Sequence, residues 1–221
     1  MSYRAKLFVF NLGALAILFA LNLGYSALQT ISRLNAIEAE RDRWQRPVDV
    51  IQALGLKPGD VVVDLGAGSG YFTLKLSTEV GENGRVIAED IRSLPLAFLW
   101  FRAAQRRPRN VKVVLGEPAD PHLPPRVHAV LISNTYHEFA DSRPILIHIF
   151  ESLVSGGRLV VIDRSPKPAG PASERSEHEI SVDRVESELR QAHFEIICRQ
   201  DRFIQSDSYD ESWWLLVASK P

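Results

Sequence analysis

The chain has 221 residues, 45% of them apolar, and its 26 basic and 27 acidic side chains leave a formal net charge of -1. That length allows one full core, or one core plus a membrane segment, and the balanced charge excludes a polyanion such as nucleic acid as a partner drawn in by the overall field. The single cysteine, Cys198, excludes an intramolecular disulfide, and no Cys/His cluster has zinc-ligand spacing, so no metal is expected.

The first element in chain order is an apolar run. No charged residue occurs from Leu7 to Ser32, and "LFVFNLGALAILFALNLGYSAL" is long enough to span the hydrocarbon core as a helix. We read residues 1–32 as a retained transmembrane anchor. The alternative is a cleaved signal peptide, since Arg4 and Lys6 precede the run and "GYSA" offers small residues for cleavage. Four arginines follow it (Arg33, Arg41, Arg43 and Arg46), a slight excess that sets the body on the cytoplasmic side; a cleaved signal would export it instead. Residues 33–47, "RLNAIEAERDRWQRP", place Leu34, Ile37 and Trp44 near helical spacing among charges and read as an amphipathic linker helix.

Residues 48–221 read as one domain. Val50, Ile51 and Leu54 continue helically to Gly55 as a cap, and "KPGD" turns the chain into a strand. Apolar strands at 61–65, 86–90, 111–115, 128–133 and 158–163 alternate with helical stretches, which is the pattern of a parallel sheet covered on both faces. Three of those helices carry stripes: Phe72, Leu76 and Val80; Ile145, Ile149 and Leu153, closing at Gly156 and Gly157; and Val182, Val185, Leu189 and Ala192. The helix in "SLPLAFLWFRAAQRRPRN" is too apolar for an ordinary surface helix. Either it turns one face inward, or its apolar stripe and the cluster Arg102, Arg106, Arg107 and Arg109 lie against anionic lipid. "SPKPAGPASERS" reads as a loop after the fifth strand, with His178 beyond it either simply solvent-exposed or part of a lid, and the last 28 residues hold two apolar runs without a helix between them, a terminal antiparallel pair.

"VVVDLGAGSGYF", residues 61–72, carries the chemistry. Gly66, Gly68 and Gly70 free the strand-to-helix turn of side chains, so a ligand can lie against backbone N–H groups. The dinucleotide fingerprint would need a glycine at Tyr71, and the phosphate-binding Lys-Ser/Thr is absent. Asp64 repels a pyrophosphate but attracts a cationic amino acid moiety.

In these residues the chain resembles the class I S-adenosylmethionine-dependent methyltransferases, whose first motif D-x-G-x-G-x-G stands here as "DLGAGSG", including Ala67. "LVSGGRLVVID" is similar to the corresponding segment of ubiquinone and menaquinone biosynthesis-type methyltransferases and their uncharacterised relatives. The resemblance implies a Rossmann-like seven-stranded sheet, mostly parallel with a carboxyl-terminal antiparallel pair and flanking helices, preceded here by the transmembrane helix. It implies S-adenosyl-L-methionine as cofactor, with Asp90 on the ribose hydroxyls beside Glu89, and Glu117, or Asp120, on the adenine amino group. Trp44, in "WQRP", would cover the cofactor. Asn134, Tyr136 and His137, in "NTYH", stand where the methyl emerges; Asn134 is also a cofactor contact, His137 is the candidate base, and Glu138 and Asp163 are further candidates. The acceptor would be a small or lipid-like molecule. Two other functions fit the same residues: a non-catalytic S-adenosylmethionine-binding module at the membrane, and an NAD-dependent oxidoreductase.

Overall fold

The computed structural model describes the backbone of residues 3–106, 109–166, 178–206 and 211–221, with the side chains of 3–14, 16, 106, 206 and 211 left out. The chain forms two compact units, Met1–Arg43 and Trp44–Pro221.

The first unit is the helix α1, Tyr3–Trp44, whose last residue belongs to the second unit. At 1.5 Å per residue its 42 residues extend about 63 Å. Among the described residues no helix is long and apolar enough to cross a membrane. The anchor read over residues 1–32 lies partly outside the described side chains; of those described, Leu15, Ile17, Leu18, Phe19, Leu21 and Leu23 are exposed.

The second unit is a seven-stranded sheet. It is built from β1 (Val61–Leu65), β2 (Arg85–Asp90), β3 (Val111–Leu115), β4 (Val127–Ser133), β5 (Leu153–Arg164), β6 (Glu195–Ser206) and β7 (Glu211–Ser219), in the order β3-β2-β1-β4-β5-β7-β6. The first five are parallel, while β7 runs antiparallel to both β5 and β6. Strand order reverses between β1 and β4, so the carboxyl ends of these two strands flank the switch point where open α/β sheets hold ligands.

Period-two alternation sorts the side chains into two apolar layers. Val63, Val130, Val161 and Trp214 point to one layer, closed by α5 (Ser142–Ser152) and α6 (Val182–Gln191). Val62, Leu131, Val160 and Trp213 point to the other, closed by α2 (Pro47–Ala53) and α3 (Tyr71–Val80). Each fully buried Val or Leu contributes about 1.5–3 kcal/mol. A smaller cluster sets Leu96 and Leu99 of α4 (Ser93–Arg106) on Ala67 and Ala88.

Two expectations change. Leu153 does not continue the stripe of Ile145 and Ile149: α5 stops at Ser152, and Leu153 is extended and pairs with Val127, because its side chain fills the layer from the strand. Arg102 does not belong to a surface basic cluster, since it is buried under α4 and donates to the Ser69 carbonyl in the glycine turn. The side chain of Arg106, the whole of Arg107, and residues 167–177 of the segment expected to be a loop lie outside the described residues.

Candidate functional site

The glycine turn joins β1 to α3 at the switch point. Gly66 and Ala67 donate their N–H groups to the Glu89 carbonyl at 2.9 and 2.8 Å, which pins the turn to the end of β2. Gly66, Gly68 and Gly70 all have positive φ, but they serve different ends. A Cβ on Gly66 would strike Thr135 and one on Gly70 would strike Leu99, so these two permit packing. A Cβ on Gly68 would meet nothing within 4 Å, so the open side of the turn is there.

Asp64 lies beneath the turn. It is buried, and its Oδ2 accepts from Thr73 Oγ1 at 2.6 Å, tying β1 to α3. Asp90 stands beside the turn: Oδ2 accepts from Gly68 N–H at 2.9 Å, while Oδ1 accepts from Arg92 N–H at 2.8 Å and Nε at 3.3 Å. A carboxylate has about four acceptor positions, and the largely exposed Arg92 side chain holds the one most easily given up.

A pocket opens over these groups, and Gly66, Asp90 and Glu117 all line it. Glu117 is exposed at its rim, in a tight turn in which its N–H and that of Asp120 are exchanged with each other's carbonyls. Asp120 turns its carboxylate to His122 instead and is absent from the lining. Phe139, Ala140 and Ile145 make an apolar wall.

Glu89, which the sequence offered only as the neighbour of Asp90, also lines the pocket. Burial, followed by the charges of Asp90 and Asp64, raises its carboxyl to about 8, against a lowering by the Gly66 N–H. Two successive acids ending a strand buried on both faces were the available signal.

The segment after β4 separates the four residues of "NTYH". Asn134, at φ 54, accepts on Oδ1 from Arg164 Nε at 3.0 Å. Thr135 seats on Gly66 and lines the pocket. Tyr136 turns into the core and donates to Glu188 Oε2 at 2.7 Å; burial raises its hydroxyl well above the usual range. Its phenol thus serves α6 rather than the pocket.

His137 is buried, with Nδ1 2.9 Å from Asp163 Oδ1 and its backbone N–H 3.1 Å from Asp163 Oδ2. Asp163, on β5, is fully buried and also accepts from Arg164 N–H at 2.8 Å, so both of its oxygens are hydrogen-bonded. The network assigns the proton to Nδ1 and leaves the Nε2 lone pair free. Nε2 is buried without a hydrogen-bond partner, 4.0 Å from Oε1 of the pocket residue Glu138. The exposed His178 meets the His137 ring edge-on at 5.6 Å. A buried histidine oriented by a carboxylate, with its second nitrogen unpaired, is equipped to take a proton.

Trp44 packs on Trp213 at 5.9 Å and does not line the pocket. Arg164 stacks over the same Trp213 ring at 5.4 Å while holding Asn134, a chain of contacts that runs from Trp44 to the turn after β4. Among the described residues no group of three or more His, Cys, Asp or Glu is placed to hold a metal ion.

Comparison with known proteins gives a consistent family. A family model described as a methyltransferase domain matches residues 56–211. The chain is 32% identical over 137 residues to the ubiquinone/menaquinone biosynthesis C-methyltransferase of Pasteurella multocida, covering 59% of this chain and 48% of that protein. The corresponding Haemophilus ducreyi protein is 31% identical over 138 residues, covering 59% and 51%. The chain thus spans about half the length of these curated relatives. Among solved structures, a SAM dependent methyltransferase from Aquifex aeolicus superposes with a TM-score of 0.69 at 24% identity, over 79% of this chain and 89% of that one. The geranyl diphosphate C-methyltransferase of Streptomyces coelicolor does so with 0.67 at 15%, over 80% and 79%. Both likenesses concern the fold.

Proposed function

The chain belongs to the methyltransferase-domain family, of the class I S-adenosylmethionine-dependent kind, and from that premise we propose that it binds S-adenosylmethionine at the glycine turn and transfers the methyl group to a proton-bearing acceptor. The observation that carries this is the open face of Gly68 beside Asp90, a cradle that any Cβ would begin to fill. Asp90 would take the ribose hydroxyls, one of them in exchange for the Arg92 side chain. Glu117, on the rim, would meet the adenine. The bound cofactor supplies an electrophilic methyl; the protein supplies position and a base. His137, oriented by Asp163, would remove the acceptor's proton at Nε2.

The apolar amino-terminal run is proposed as a membrane anchor with the domain on the cytoplasmic side. Its support is the charge-free stretch from Leu7 to Ser32 and the cytosolic supply of the cofactor. A small or membrane-borne acceptor fits that placement.

Titration calorimetry with S-adenosylmethionine, S-adenosylhomocysteine and NAD, joined to a labelled-methyl screen of lipid, quinone and small-molecule extracts, tests the reading. Asp90→Ala should weaken S-adenosylmethionine binding at least about tenfold. Tight binding with no methyl turnover on any extract would make the protein a binding module, and binding of NAD alone would overturn the assignment.

A further inference from the structure

We propose that the outer face of α4 is a lipid-docking surface that seats the domain on an anionic bilayer. A surface helix ordinarily turns one apolar stripe inward and a polar face outward. In α4, Leu96, Leu99 and Arg102 point inward, yet the opposite side is apolar as well. Leu94 is 68% exposed, Trp100 64% and Phe101 38%, and Ala97 and Ala104 are exposed between and beside them. Leu94, Ala97, Phe101 and Ala104 recur at three and four residues, so they share one stripe. Ile91, just after β2, and Leu115, the last residue of β3, are exposed apolar side chains as well, and Ile91 also lines the candidate pocket. A patch of this kind marks an interaction site.

Charge selects the occupant. From Ile91 to Gly116 the sequence holds five arginines and one lysine and no acid. Arg102 is buried and Arg92 is paired with Asp90 at 3.3 Å, but Arg109 and Lys112 are exposed. A second copy of the chain would bring two such cationic surfaces together, whereas anionic headgroups neutralise the cations while the acyl boundary takes Leu94, Trp100 and Phe101. Tryptophan favours that boundary. Docking through this face would turn the Ile91 side of the pocket toward the membrane.

The test uses the full chain with Cys198→Ser, carrying an environment-sensitive fluorophore at Ala97→Cys or, for reference, at exposed Gln191→Cys on α6. Both probes share whatever α1 does, so a difference between them belongs to α4. With vesicles of mixed phosphatidylglycerol and phosphatidylcholine, the probe at 97 should shift to the blue while that at 191 keeps its aqueous emission. Phosphatidylcholine alone, or high salt, should reduce the shift. The combined change Leu94→Gln, Trp100→Gln and Phe101→Gln should abolish it with an unchanged circular dichroism spectrum. Aqueous emission at 97 on anionic vesicles would overturn the proposal, as would equal shifts at both sites. A shift that grows with protein concentration and needs no vesicles would instead make the patch a self-association face.

Discussion

His137 and Asp163 are 26 residues apart and act as one unit, because the carboxylate fixes which imidazole nitrogen keeps its lone pair. His137→Ala should lower turnover by about a hundredfold or more, the usual worth of a general base, while leaving cofactor affinity within about threefold. Asp163→Asn should also slow turnover, since an amide can hold the wrong tautomer; unchanged turnover in both variants would leave the pair a structural contact. Glu89 yields a different prediction. Its folded pKa of about 8 lies above the value of 4.5 for a free side chain, so the folded state keeps a proton that the unfolded chain releases. Its stabilising contribution is complete below that lower value, is lost as pH rises towards about 8, and stays lost beyond. Glu89→Gln cannot ionise, so its melting temperature should exceed the wild type's by more at about pH 9 than at about pH 5. Equal differences at both pH values would show that the folded site holds the charged form. Residue identity made the turn and His137 legible in the sequence. Asp163 and Glu89 were named as well, but the pairing of Asp163 with His137 and the raised Glu89 carboxyl were not legible, because both depend on which strand ends the fold brings together.

At the scale of elements, Glu188 of α6 does the joining. Its Oε2 accepts from Tyr136 Oη at 2.7 Å and Ser142 Oγ at 2.6 Å, and its Oε1 accepts from Arg184 Nε at 2.8 Å. Three pieces thereby meet on one carboxylate: the turn after β4, the start of α5 and α6. Tyr136→Phe removes one hydrogen bond to a charged group while Ser142 and Arg184 still satisfy Glu188. The expected cost is about 1–2 kcal/mol of stability, read by denaturant unfolding, with cofactor affinity unchanged. A large loss of turnover without that loss of stability would return the phenol to catalysis. The strands were legible because alternation and apolar runs are local properties. The end of α5 was not: Leu153 keeps helical spacing in sequence, and only its pairing with Val127 makes it a strand residue. Nor could spacing alone sort the two sides of α4, since both are apolar and it is the packing of Leu96 and Leu99 on Ala67 and Ala88, with Arg102 on the Ser69 carbonyl, that sets which side faces the turn.

For the whole molecule, the division between Arg43 and Trp44 separates a single helix from a unit that contains every strand, both apolar layers and the pocket. A helix on its own adds little to the stability of a domain that already buries its own core. The second unit also holds its own entry: Trp44 packs on Trp213, and Arg46 donates to the Phe203 carbonyl at 2.8 Å while its guanidinium lies 4.5 Å over the Phe203 ring. A chain beginning at Trp44 should therefore unfold in one cooperative transition and bind S-adenosylmethionine within about threefold of the full chain. It should also sediment less with vesicles, to the extent that the apolar run carries attachment. Starting instead at Pro47 removes Trp44 and Arg46 together, and that chain should melt lower than the one from Trp44. If the two truncated chains melt alike, the segment before α2 contributes nothing to the domain, and the route from Trp44 through Trp213 and Arg164 to Asn134 has no hold on the site.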